Sequence, residues 1–121
     1  MNFCWVTLHV KNLEASLAFY HGLLGLPIDS RFGKEGTSIA MLGEKDQPKI
    51  ELLQSGAGEE ETFHSDMTVG IRVESLEGTM EYLREKQIPV IRGPISPNPV
   101  TSFIFIKDPD GYEVQLVAEK S

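Results

Sequence analysis

Residues 5–28 read WVTLHVKNLEASLAFYHGLLGLPI, and the chain repeats their plan once. A shift of 63 residues carries Val6, Leu8, Val10, Leu13, Glu14 and Leu17 onto Val69, Ile71, Val73, Leu76, Glu77 and Met80. The same shift carries the polar spacers His9 and Asn12 onto Arg72 and Ser75. One residue then drops out, so that Leu26-Pro27-Ile28 meets Ile88-Pro89-Val90. Further on the shift is 64: TSIAML at 37–42 meets TSFIFI at 101–106, and Ile50-Glu51-Leu52 meets Val114-Gln115-Leu116. A long period seen only twice marks a duplicated module rather than a solenoid.

The quoted stretch changes period part-way, and that change assigns its elements. Residues 3–10 alternate as a strand does, with Val6, Leu8 and Val10 on one face and Trp5, Thr7 and His9 on the other. Asn12 then caps a helix whose Leu13, Leu17, Tyr20 and Leu24 recur at helical spacing, and Gly25 ends it. Strands are predicted over 27–32 and 37–42, joined by a turn at Gly33–Gly36. In KIELLQ (49–54) the alternation turns Ile50 and Leu52 toward the helix and Glu51 and Leu53 away from it. Residues 55–66 have the Gly, Ser and acid content of a linker, and His64 within them reads as a solvated histidine.

The second half follows the same order. MTVGIRV is a strand, Ser75 caps a helix through about Lys86, and Pro89–Ile91 is a further strand. RGPISPNP reads as a loop, because proline cannot donate to a ladder. TSFIFI, the turn Asp108-Pro109-Asp110-Gly111 and the strand YEVQLVA follow, and the tail AEKS is expected to fray. The fold class is therefore α+β: two βαβββ modules, an internal duplication, forming cupped mixed sheets with helices on the outer face. We expect a single domain over 1–121, with module one at 1–54, a linker at 55–66 and module two at 67–121.

Composition narrows the function. With 121 residues, 40% of them hydrophobic, the chain is one domain's worth and can bury a core. A net charge of −7 without a basic stripe argues against nucleic acid and mildly favours a cationic small ligand. No run of eighteen apolar residues occurs, so no membrane span is expected. The start MNFCWVTLHV lacks a charged n-region and a cleavage site, so no secretory signal is expected. Cys4 is the only cysteine; it reads as a small hydrophobe rather than a reactive thiol, and the chain as cytoplasmic.

L-x-x-S-x-x-F-Y-x-x-L-L-G-L, carried by Leu13, Ser16, Phe19, Tyr20, Leu24 and Gly25, together with D-P-D-G-Y at 108–112, resembles the vicinal oxygen chelate superfamily. Glyoxalase I, extradiol dioxygenases, fosfomycin-resistance enzymes and bleomycin-resistance proteins belong to it. The resemblance covers nearly the whole chain. It implies paired βαβββ modules and, for short members, a homodimer in which modules from both chains enclose each cup. It also implies where a metal would sit, since the metal enzymes of the family place ligands on four cup-facing strands. In register these positions are Trp5 (normally His), Glu51, Thr68 (normally His) and Gln115 (normally Glu). The internal repeat independently pairs Trp5 with Thr68 and Glu51 with Gln115.

Of the four only Glu51 is an ordinary hard ligand, and tryptophan has no lone pair to give. The expectation is therefore no metal residues and no cofactor. The alternative is a divalent metal at a degenerate site improvised from Glu51, His9, Gln115 and His64. Alternation lines the cup with Trp5, Thr7, His9, Glu51, Leu53, Thr68, Gly70, Arg72, Glu113, Gln115 and Val117. Trp5, Thr7, His9, Glu51, Thr68, Arg72 and Gln115 are the expected ligand-binding residues, and without ligand Glu51 is expected to pair with Arg72 or His9. By resemblance the chain is a glyoxalase/bleomycin-resistance-like protein that binds a small aromatic or cationic molecule in a metal-free cup. The alternative is a glyoxalase I (lactoylglutathione lyase)-like lyase or isomerase, with Glu51 in a degenerate metal site or as a metal-free base. A carboxylate in an apolar cup can have its pKa raised, which suits removal of a proton beside a carbonyl.

Overall fold

The structure, a computed structural model, describes residues 2–34, 36–56 and 67–120. These fall into two compact units, one within Met1–Phe63 and one within His64–Ser121. The first holds β1 (Trp5–His9), α1 (Leu13–Leu17), a π-helical segment (Ala18–Leu23), β2 (Ile28–Lys34), β3 (Thr37–Leu42) and β4 (Lys49–Gln54). The second holds β5 (Thr68–Arg72), α2 (Leu76–Glu85), β6 (Arg92–Asn98), β7 (Thr101–Lys107) and β8 (Glu113–Glu119). Each unit has one four-stranded mixed sheet, ordered β1-β4-β3-β2 in the first and β5-β8-β7-β6 in the second. The first strand is parallel to the last in both, and the other pairs are antiparallel. The duplication read from the sequence is thus a duplication of sheet topology. Of the linker, Ser55 and Gly56 are described; 57–66, with His64, lie outside the described residues.

Strand alternation decides which face each sheet buries. In unit one Leu8, Ala40, Leu42 and Leu52 are shut off from solvent on the side where α1 packs. In unit two Ile104, Ile106, Val114 and Leu116 are buried in the same way, with Leu83 of α2. Burying each such large aliphatic side chain contributes about 1.5–3 kcal/mol, so one face of each sheet carries most of its unit's stability. Both helices have the expected caps: Asn12 Oδ1 accepts from the Ala15 N–H and Ser75 Oγ from the Gly78 N–H, each at 3.0 Å.

The first helix does not run regularly to Leu24 as the periodicity predicts. After Leu17 it widens into a π-helical turn, and the Leu24 N–H bonds the Phe19 carbonyl, 3.0 Å away. Neighbouring residues on an α-helix point about 100° apart, so Phe19 and Tyr20 cannot both face the core squarely. The wider turn lets both be buried, their rings meeting edge to face at 4.9 Å. Gly25 ends the element at φ +81°, as expected.

Further expectations are corrected. RGPISPN is a strand, not a loop, and Pro89–Ile91 is not one. β6 is an edge strand that meets β7 only at Arg92↔Phe105, Ile95↔Phe103 and Asn98↔Thr101, and both prolines fall between these contacts. Proline is tolerated in an edge strand where its missing N–H breaks no ladder bond. The tail does not fray at Ala118: Glu119 pairs with Thr101, and the Lys120 N–H bonds the Val100 carbonyl at 2.7 Å. Cys4 is exposed ahead of β1, and its carbonyl accepts the Lys49 N–H at 2.9 Å. Among the described residues no helix is long and apolar enough to cross a membrane.

Gly93 anchors β6. Its φ is +101°, and an added Cβ would stand 2.8 Å from the Phe103 carbonyl oxygen and 3.1 Å from Ile104 Cα. Both obstacles are backbone of the neighbouring strand, so Gly93→Ala should destabilise the protein by about 1–3 kcal/mol. The shift of the urea midpoint measures this; an unchanged midpoint would mean that β6 is not held at this position.

Candidate functional site

The faces turned away from the helices carry the chemistry. In unit one Thr7 stands opposite Glu51, His9 opposite Leu53 and Trp5 opposite Lys49 across β1 and β4. Thr7 Oγ1 donates to Glu51 Oε1 at 2.6 Å, which places both side chains on one face. Glu51 is half-buried there, whereas Trp5 is 53% exposed. β3 adds Met41 beside Glu51 and Ile39 beside Leu53, and Phe32 of β2 lies next to Ile39. A single carboxylate thus sits among apolar groups with one hydroxyl fixing it. In unit two Arg72 meets Glu119 at 3.1 Å.

In unit two Thr68 stands opposite Glu113, Gly70 opposite Gln115 and Arg72 opposite Val117. β7 places Phe105 next to Gln115 and Phe103 next to Val117, with the two rings edge to face at 5.6 Å. The Arg92 guanidinium lies 4.1 Å above the Phe105 ring and bonds Glu113 through Nη2 at 2.6 Å and Nη1 at 3.2 Å.

The sequence reading placed no residue of β2, β3, β6 or β7 on these faces, so it missed Ile39, Met41, Phe103, Phe105 and Arg92. The signal was present: the period-two argument applied to Glu51 turns Phe103 and Phe105 outward once Ile104 and Ile106 are assigned inward.

The Glyoxalase/Bleomycin resistance protein/Dioxygenase family description matches residues 3–116. The chain belongs to this superfamily. Among relatives in it, the lactoylglutathione lyase of Haemophilus influenzae is 30% identical over 94% of this chain and 90% of that protein. In fold the chain is similar to the trypanothione-dependent glyoxalase I of Leishmania major, with a TM-score of 0.83 over 98% of this chain and 87% of that one at 21% identity. It is also similar to TnmS3, an antibiotic-binding protein from Streptomyces sp. CB03234, with a TM-score of 0.76 over 99% and 97% of the two chains at 16% identity.

These relatives correct one expectation. Those that are lactoylglutathione lyases belong to the glyoxalase branch of the superfamily, whose members are metal-dependent, and the expectation that the chain uses no cofactor is overturned. The residues at the superfamily's four ligand positions nevertheless do not fit its usual donor set. In unit one β1 and β4 carry an indole and a carboxylate, Trp5 and Glu51; in unit two β5 and β8 carry a hydroxyl and an amide, Thr68 and Gln115. Among the described residues no group of three or more His, Cys, Asp or Glu is placed to hold a metal ion.

The Arg92–Glu113 pair has a consequence for stability. Its hydrogen bonds, helped by the charges of Arg92 and Lys107, hold the Glu113 carboxyl below its ordinary 4.5 against the opposing effect of burial. A carboxyl with a lowered folded pKa contributes stability that is present above the unfolded value and lost as pH falls through the folded one. The melting temperature should therefore fall on acidification below pH 4.5 less steeply in Arg92→Ala than in the parent chain. Parallel curves would show that solvent screens the pair completely.

Proposed function

We propose that this superfamily member binds a small, flat or cationic molecule on the open face of unit one, with the Glu51 carboxylate as its polar anchor and Trp5 as an aromatic wall. The observation that carries the reading is the half-buried Glu51, held by the Thr7 hydroxyl at 2.6 Å on a sheet face that no helix of its unit covers. A carboxylate fixed by one neutral donor keeps further acceptor capacity for a ligand. Trp5, the only tryptophan in the chain, offers a face on which a ring or a cation can rest.

Trp5 also reports the event. Titration with benzyltrimethylammonium should change its emission saturably. Emission that stays constant through the titration contradicts the reading.

A second reading is favoured by the lactoylglutathione lyase relatives. In it the face accepts a thioester-forming substrate, and Glu51 moves the proton beside the carbonyl. Glu51 is then a reacting group rather than an anchor, and formation of S-lactoylglutathione by the purified chain separates the two.

A further inference from the structure

Arg92 begins on β6, passes over β7 and ends at Glu113 on β8. On the way its guanidinium lies 4.1 Å from the Phe105 ring centre, and it reaches both Glu113 oxygens, at 2.6 and 3.2 Å. An aromatic face with a carboxylate beside it suits a planar guanidinium twice over, by the charge of the ring face and by two parallel acceptors. The receiving group is sunk and the occupant is not: the Glu113 side chain is 20% exposed and that of Arg92 50%.

The duplication shows that the fold does not require this arrangement. The ladder positions of Arg92, Phe105 and Glu113 belong in unit one to Ser30, Met41 and Lys49. Unit one builds the same sheet with no guanidinium, ring or carboxylate at those positions. The cluster is therefore a property of this one face and not of the module.

Arg92 is also free to leave. It lies on an edge strand whose residues are all exposed, so its side chain can swing into solvent. A half-exposed pair is screened by water, and a competing cation displaces it at small cost. Lys107, opposite Glu113 on β7, favours the ionised carboxylate whether or not Arg92 is there. Past Gln115 the row that holds Phe105 ends at Gly70, where an added Cβ would meet nothing within 4 Å, so the remainder of a ligand has room.

We propose that Phe105 and Glu113 form a binding site for small alkylguanidinium compounds, and that Arg92 is its built-in competitor. A ligand's guanidinium takes the place of the Arg92 guanidinium on the ring and the carboxylate, and Arg92 turns out to solvent. The site lies in unit two and does not depend on the function proposed for Glu51.

Methylguanidinium chloride is the probe, added to the whole chain while amide and ring shifts are followed, with sodium chloride at equal concentration as the control for ionic strength. Saturable shifts at Phe105, Glu113 and Gln115 are expected in the parent chain. Arg92→Ala removes the competitor, so the affinity should rise about 10-fold or more, and Arg92→Ala/Glu113→Gln should lose the response. Tetramethylammonium has the charge but no N–H, and should bind Arg92→Ala about 10-fold more weakly than methylguanidinium. No saturable response in the parent chain, an affinity no higher in Arg92→Ala, an undiminished affinity in the double variant or equal affinity for tetramethylammonium would each overturn the proposal. So would shifts confined to Trp5 and Glu51. Should Arg92→Ala fail to fold, Arg92→Lys, whose ammonium lacks the planar fork, should raise the affinity in the same direction, and an affinity equal to the parent's would count against the site.

Discussion

Tyr20→Ala should destabilise the protein by about 3–5 kcal/mol, the range for removing a buried aromatic side chain. Tyr20 has no solvent exposure and lies at the centre of the π-helical segment, its ring edge-on to Phe19. Loss of the ring leaves a cavity and also removes the reason for the wide turn, since Phe19 alone can be buried from a regular helix. Two measurements follow from this. The urea midpoint should fall far more than for a surface substitution such as Glu81→Ala, and the variant's amide shifts from Ala18 to Leu24 should move toward regular helix. A loss below about 1 kcal/mol, the ordinary size of a point-mutation effect, would mean that Tyr20 does not organise this segment.

Glu51→Gln should weaken benzyltrimethylammonium binding about 10- to 100-fold. The substitution keeps the shape and still leaves an oxygen for the Thr7 hydroxyl, so it removes the charge and little else. A charge-assisted contact is worth about 1.5–3 kcal/mol, and about 1.4 kcal/mol is tenfold in affinity. Thr7→Val should have a smaller effect, because it frees the carboxylate without discharging it. If the chain forms S-lactoylglutathione, Glu51→Gln should lower that rate by about 10²–10⁴, the usual contribution of a positioned proton-transfer group. Full retention of both binding and turnover would remove Glu51 from either role.

The legibility of this chain in its sequence was uneven, for physical reasons. Strands with one buried face announce themselves, so β1, β4, β5 and β8 and the inward set Leu8, Leu52, Val114 and Leu116 followed from alternation. β6 did not, because an edge strand that pairs at every third residue has no period-two pattern and can carry Pro94 and Pro97. The π-helical turn was hidden because its cause is the joint burial of two adjacent aromatic residues, which helical periodicity does not represent. On the candidate site, the position of Glu51 is readable from alternation, whereas its hydrogen bond to Thr7 follows from the parallel register, which sets the two residues side by side.

The same register explains why one side of unit one is available for a ligand. Its helix-facing residues are consumed by packing, and the residues between them, Trp5, Thr7, Glu51 and Met41, lie on the face that α1 does not cover. The most direct test is where benzyltrimethylammonium rests, read from the amide and side-chain shifts of the protein as the probe is added. The account predicts saturable shifts that centre on Trp5, Thr7, Glu51 and Met41 and vanish in Glu51→Gln. Shifts centred on α1, or on no residue of β1 and β4, would contradict it.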